Sequence, residues 1–143
     1  MRRMRLSLAL VLLLFTAAFA QLERLPDPML DACNAYYKAM STATAWTDVL
    51  PYISRDSVKA IEALTPDNRD RIFVFYQKLE QAVANTGAKE IKECQIDGDK
   101  ARVFLQIMGA RPTDDFQGQN VNLTKEVDGW KVDISRVIKA MGQ

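Results

Sequence analysis

Asp97-Gly98-Asp99-Lys100-Ala101-Arg102-Val103-Phe104-Leu105-Gln106-Ile107-Met108 is the stretch on which the fold turns. Asp97-Gly98 is a tight-turn dipeptide, because glycine reaches the left-handed backbone that a two-residue hairpin requires. Beyond it Ala101, Val103, Leu105 and Ile107 alternate with Arg102, Phe104, Gln106 and Met108. A period of two predicts a strand, and an apolar set on one side predicts a sheet with one face turned to a core. Asp128-Gly129 repeats the turn signal, and Trp130, Val132 and Ile134 alternate with Lys131, Asp133 and Ser135 after it. The polar stretch from Ala110 to Gln119, with Pro112, Asp114, Asp115 and Gly118, joins the two hairpins and is longer than a tight turn needs. After Gly87 the chain therefore reads as four antiparallel strands.

Upstream of Gly87 the period is helical. Thr65-Pro66-Asp67 combines an N-cap hydroxyl, a proline at the first helical position and an acid that suits the helix dipole. Ile72, Phe75, Tyr76, Leu79 and Val83 then form one expected core stripe, ended by Asn85-Thr86-Gly87. An earlier helix is predicted over residues 28 to 44, with Asp27 as N-cap, Pro28 at its first position and Leu30, Cys33, Tyr37 and Met40 facing the core. Residues 47 to 64 predict a shorter helical segment interrupted by Pro51, with Val58, Ile61 and Leu64 on one side.

The chain begins with Arg2, Arg3 and Arg5, an apolar run from Leu6 to Phe15, and Ala18-Phe19-Ala20. That is the layout of a secretory signal peptide, with cleavage expected before Gln21. The apolar run is too short for a membrane anchor, which takes about 20 residues. Residues 1–20 are thus read as the signal, 21–27 as an extended lead-in, 28–137 as a single domain and 138–143 as a C-terminal tail. The protein is expected to be exported, in the bacterial periplasm or secreted, with no membrane span after cleavage. Asn122-Leu123-Thr124 matches a glycosylation sequon, which has meaning only in a cell with an endoplasmic reticulum.

Loss of the three signal arginines leaves 16 basic and 18 acidic residues, a net charge of −2. A mildly acidic chain without a Lys/Arg cluster does not carry the footprint of a nucleic-acid binder. No histidine occurs anywhere, which removes Ser-His-Asp and Cys-His nucleophile systems and imidazole metal sites. No metal site or cofactor is expected. Asp114-Asp115 alone would not hold a cation, and Arg102 and Arg111 are read as surface charges with a possible use against an anionic ligand. Cys33 and Cys94 lie too far apart for a thiolate zinc site. In an oxidising compartment they are expected to form a disulfide, stabilising by about 4 kcal/mol in the chain-entropy model; the alternative is two buried thiols.

Helices followed by a four-stranded meander predict an α+β class, N-terminal helices packed on a curved antiparallel sheet. Together with the closing run Val121-Asn122-Leu123-Thr124-Lys125-Glu126-Val127-Asp128-Gly129-Trp130-Lys131-Val132-Asp133, this order resembles the nuclear transport factor 2-like superfamily with its cystatin-like cone. Within it, small secreted lumazine-binding-like domains of unknown function are the most similar. The resemblance implies an apolar pocket between sheet and helices that takes a small apolar ligand or docks an envelope protein. Tyr37, Phe75, Tyr76, Leu79 and Trp130 are the residues expected to contact such a ligand. A structural subunit without a pocket is the alternative, and a cofactor-free lyase or isomerase built on one Asp or Glu and a Tyr is the catalytic one. The latter needs a carboxyl whose pKa is raised by burial. No catalytic residue is assigned from sequence.

Overall fold

Asp27 caps the first helix as expected, its carboxylate accepting from the backbone N–H of Met29 at 3.0 Å and of Leu30 at 3.3 Å. The structure, a computed structural model, describes residues 27–143. The expected signal segment, its cleavage point and most of the lead-in lie outside the described residues. Helix α1 (Pro28–Thr42) buries Cys33, Tyr36, Tyr37 and Met40. Two short 3₁₀ turns, Trp46–Asp48 and Leu50–Tyr52, occupy the region around Pro51. Trp46 is buried there, donating from Nε1 to the Arg69 carbonyl at 3.0 Å and meeting Phe73 edge-on at 5.3 Å. Helix α2 (Arg55–Glu62) starts from a Ser54 cap, and α3 (Pro66–Ala84) from the Thr65 cap anticipated from sequence.

Strands β1 (Lys89–Asp97), β2 (Lys100–Ile107), β3 (Gly118–Glu126) and β4 (Gly129–Val132) form an antiparallel sheet in the order β1-β2-β3-β4. Both hairpin turns run through glycines in the left-handed region, Gly98 at φ 60° and Gly129 at φ 119°, where a side chain would be strained. Ala101, Val103 and Leu105 pair with Leu123, Val121 and Gln119, so the alternation in β2 and β3 meets on one face. That face supplies Ala101, Val103, Leu105, Val121 and Leu123 to the core, with Val132 from β4. Helix α1 packs on α3 and β4, and α2 packs on the last helix, α4 (Ser135–Met141). Among the described residues, four helices and an open four-stranded antiparallel sheet make an α+β domain, the class expected. Among the described residues no helix is long and apolar enough to cross a membrane.

Three expectations need correction. Residues 138–141 of the predicted C-terminal tail, 138–143, belong to helix α4, and Ile138 is completely buried. Ile134, Ile138 and Met141 recur at helical spacing, and Ile134 N–H is tied to the buried Ser57 Oγ at 2.8 Å. The core face of α3 is also turned from the expected one. Ile72, Phe73, Tyr76, Glu80 and Val83 are buried, whereas Phe75 and Leu79 are 56% and 51% exposed. Ile72, Tyr76 and Val83 belong to both readings; α1 packs on the helix and Trp46 meets Phe73, so the flank that carries Phe73 and Glu80 is covered rather than the one with Phe75 and Leu79.

The third correction concerns the thiols. Cys33 and Cys94 are both free, and the expected disulfide is not formed. Cys33 is sealed in the core, where burial pushes its pKa up to about 12. Cys94, on β1, pairs with Val103 of β2; the residues of β1 from Lys92 to Asp97 are all exposed, and the Cys94 Sγ lies 3.6 Å from Met29 Sδ. Thiolate reactivity follows exposure and pKa. A maleimide reagent is therefore expected to add one label to the native protein and a second only in denaturant, read by intact mass. An unlabelled native protein two daltons light would contradict the free-thiol arrangement.

Candidate functional site

Strand β4 has only four residues, and they pair with Leu123 to Glu126. The first half of β3 thus has β2 on one side and, among the described residues, no strand on the other; Asp133 N–H donates to the Asn122 carbonyl there at 2.8 Å. A cavity of about 200 Å³ opens beside this free edge. Tyr36 and Tyr37 come to it from α1, Tyr76 and Glu80 from α3, and Gln119, Asn120 and Asn122 from β3. Asp133 and Val137 close it from the junction of β4 with α4. Tyr36 and Tyr37 meet edge to face at 5.2 Å, and Gln119 donates a side-chain hydrogen bond to Tyr37 Oη. The lining holds two carboxylates, three phenols and three amides, and neither lysine nor arginine.

Glu80 is the exceptional group. It is 8% exposed, has no ion-pair partner among the described residues, and burial raises its pKa to about 7, with the Tyr36 hydroxyl opposing that rise. A buried carboxyl is normally paired or heavily hydrogen-bonded, because desolvation penalises its charged form. The Tyr36 hydroxyl is itself buried without a partner at hydrogen-bond geometry, although it faces Glu80 and Tyr76. Tyr36, Tyr37 and Tyr76 all have pKa values pushed up by burial, so they serve as neutral donors and acceptors. Lys89 stands behind Tyr37, its Nζ 5.7 Å from the ring centroid, outside the lining.

Asp133 is already engaged. Burial opposes its ionisation, yet hydrogen bonds from Ser135 and Ser57 and the Lys100 charge hold its pKa below the ordinary aspartate value. Its Oδ1 accepts from Ser135 N at 2.9 Å and from Ser57 Oγ at 3.3 Å, and Oδ2 from Thr124 Oγ1 at 3.3 Å. Asp133 thus brings fixed negative charge to the cavity wall, and Glu80 brings charge that switches near neutrality.

Of the five residues expected to touch a ligand, Tyr37 and Tyr76 line this cavity. Phe75 and Leu79 lie on the solvent side of α3, and Trp130 is half-buried in the last hairpin, beneath Lys125. Tyr36, a candidate hydroxyl in the sequence, lines the cavity as well; sequence reasoning missed Glu80, Gln119 and Asp133. Glu80 was visible as a carboxyl on the same helical face as Ile72, Tyr76 and Val83, an acid set among core positions. Arg102 is exposed on β2, and Arg111 lies in the connection between the hairpins, where Asp114 Oδ2 accepts from its backbone N–H at 2.7 Å.

Fold and site together define an α+β domain that carries a small, polar, titratable cavity at a free sheet edge. Comparison with protein-family models, with curated proteins and with solved structures finds no match to this chain.

Proposed function

We propose that the chain is exported, loses residues 1–20, and acts outside the cytoplasm as a non-catalytic domain that binds a small organic amine in the cavity between α1, α3 and the edge of β3. The observation that carries this reading is the lining: Glu80 and Asp133 as carboxylates, three tyrosine rings, and no cationic side chain. An ammonium group gains from a carboxylate and from aromatic faces at once, and gains most where water is scarce. The apolar ligand implied by the family resemblance fits less well, since the lining is mostly polar and about 200 Å³ is small for a ligand pocket. The order of helices and meander, with tyrosines enclosed between them, supports a cystatin-like cone of the nuclear transport factor 2-like kind.

The test is a titration with ethylammonium, followed by amide shifts of Tyr36, Tyr76 and Gln119. Binding is expected at pH 8, where Glu80 is ionised, and is expected to fall at least about tenfold at pH 5 or in Glu80→Gln. Equal binding under all three conditions would remove Glu80, and with it this reading. A second, catalytic reading is favoured by one observation, the near-neutral Glu80 beside an unpartnered Tyr36 hydroxyl, a pair suited to moving a proton. The exposed apolar face of α3 at Val74, Phe75 and Leu79 favours the reading as a subunit of an envelope complex.

A further inference from the structure

Strand β1 is the other edge of the sheet, pairing with β2 along one side and, among the described residues, with no strand along the other. Its two halves differ. The register slips between Ile91 and Glu93, and this bulge, with Lys89 and Lys92 beside it, guards the first half as exposed sheet edges are commonly guarded. From Glu93 to Asp97 the register against Phe104 to Lys100 is unbroken, with no proline, bulge or lysine on β1. Alternate N–H and C=O groups of this half point away from β2, as antiparallel pairing requires. Pairing with Val103 and Ala101 puts Cys94 and Ile96 on the face of the sheet that feeds the core, yet Cys94 is exposed and Ile96 is 61% exposed. The apolar face of the sheet thus runs on past what the helices cover. Glu93, Gln95 and Asp97 stand on the opposite face, beside Phe104, Arg102 and Lys100 of β2. Among the described residues Glu93 and Asp97 have no ion-pair partner; Lys100 reaches instead to Asp56 at 3.8 Å and Asp133 at 3.9 Å, and Arg102 forms no ion pair.

We propose that residues 93–97 are a docking edge for an extended segment of a partner protein, one that alternates basic and apolar residues and adds to the sheet as a further strand. Main-chain hydrogen bonds to the open groups of the edge supply affinity, and the two faces of β1 supply selection. Side chains of an added strand fall alternately on those faces. The ones beside Cys94 and Ile96 cover apolar surface and suit a β-branched residue, whereas the ones beside Glu93 and Asp97 meet unpaired carboxylates and suit lysine or arginine. A second copy of this chain fits less well. Antiparallel pairing of the segment with itself about Gln95 sets each Glu93 against the other copy's Asp97, and pairing about Glu93 sets two glutamates face to face. Pairing about Cys94 sets Ile96 against the lysine of the bulge, Lys92. The acids on this edge therefore deter self-association and acidic strands while they favour a basic one.

The experiment is a titration of the full mature chain with the peptide acetyl-Lys-Val-Lys-Val-Lys-amide, read by the amide shifts of Glu93, Cys94, Gln95, Ile96 and Asp97. Its alternation is palindromic and so fits the edge in either strand direction. Two further peptides separate the contributions: acetyl-Glu-Val-Glu-Val-Glu-amide keeps the alternation with the wrong charge, and acetyl-Lys-Lys-Val-Val-Lys-amide keeps the composition without the alternation. Saturable shifts along residues 93–97, slowed hydrogen exchange at alternate amides there, and binding at least about fivefold weaker for both other peptides are the expected results. Affinity for the first peptide should fall about fivefold or more in Ile96→Lys, which charges the apolar face, and in Glu93→Lys, which sets lysine against lysine. Both positions are exposed, so circular dichroism of these variants should match the parent. Absence of saturable shifts, shifts that map away from β1, equal binding of either other peptide, or unchanged affinity in both variants would overturn the proposal. A mature chain that sediments as a dimer and turns monomeric in Ile96→Lys would also overturn it, by giving the edge to a second copy. Glu80→Gln should leave peptide binding unchanged, which keeps failure here distinct from failure at the amine cavity.

Discussion

Glu80→Gln should stabilise the domain at pH 8 by about 3 kcal/mol and leave its stability at pH 4 nearly unchanged. The sign follows from linkage. Glu80 titrates near pH 7 in the folded chain against an ordinary glutamate value of 4.5. Below the lower value both states hold the proton and no penalty exists. Between the two values the unfolded chain has released its proton while the folded chain keeps it, so stability falls as pH rises; above the higher value the loss is constant. A difference of that size is worth about 3 kcal/mol, at roughly 1.4 kcal/mol per pH unit. Glutamine keeps the shape and a hydrogen-bonding head for the Tyr36 hydroxyl, but has no charge to desolvate. Urea unfolding of both proteins from pH 4 to pH 9 measures the effect. The parent's stability should decline across pH 4.5 to 7 by this residue's share while the variant's lacks that decline; parallel curves would show that Glu80 is not held near neutrality. A buried carboxyl that lowers stability at working pH marks the cavity around it as the functional candidate.

Ile138→Ala should cost about 3 kcal/mol, or roughly 10 °C in Tm for a domain of this size. Ile138 is completely buried in the common core, and α4 packs on α2. Removing its outer carbons leaves a hole lined by side chains that cannot collapse freely, so lost transfer energy and cavity cost add. Its neighbour Val137 is 45% exposed, and Val137→Ala should change stability by less than about 1 kcal/mol. Thermal unfolding of the two variants side by side therefore separates a docked helix from a fraying terminus. Equal, small effects would mean that the chain after Val132 is not part of the core.

The parts of the fold that neighbouring residues control were legible in the sequence. Asp27 with Pro28, and Thr65 with Pro66, announced two helix starts because capping uses a side chain and the backbone within three residues of it. Asp97-Gly98 and Asp128-Gly129 announced the turns because only glycine takes those backbone angles without strain. The alternation through Ala101 to Ile107 announced a half-buried strand, since a period of two leaves no other way to collect its apolar residues.

Less was legible where an apolar stripe had two candidate edges. On α3, Phe75 and Leu79 extended the stripe from Ile72, Tyr76 and Val83 as well as Phe73 did, and periodicity is indifferent to which flank a neighbour covers. The site suffered most from this. Glu80 has the wrong chemistry for a core position, so an apolar pattern does not single it out, and the size of Trp130 does not say which cavity it borders.

Caps, turns, periods, the absence of histidine and the α+β class were thus written in local chemistry and in composition, because each depends on residues close together in the chain or on a simple count. Which flank of α3 was buried, that the last residues docked as a helix, that the two cysteines stayed apart, and that one carboxyl stood among three tyrosines at a free strand edge were decided by tertiary packing. Those outcomes turn on contacts between segments tens of residues apart, where burial rather than propensity sets which side chains lose water and what charge they then carry.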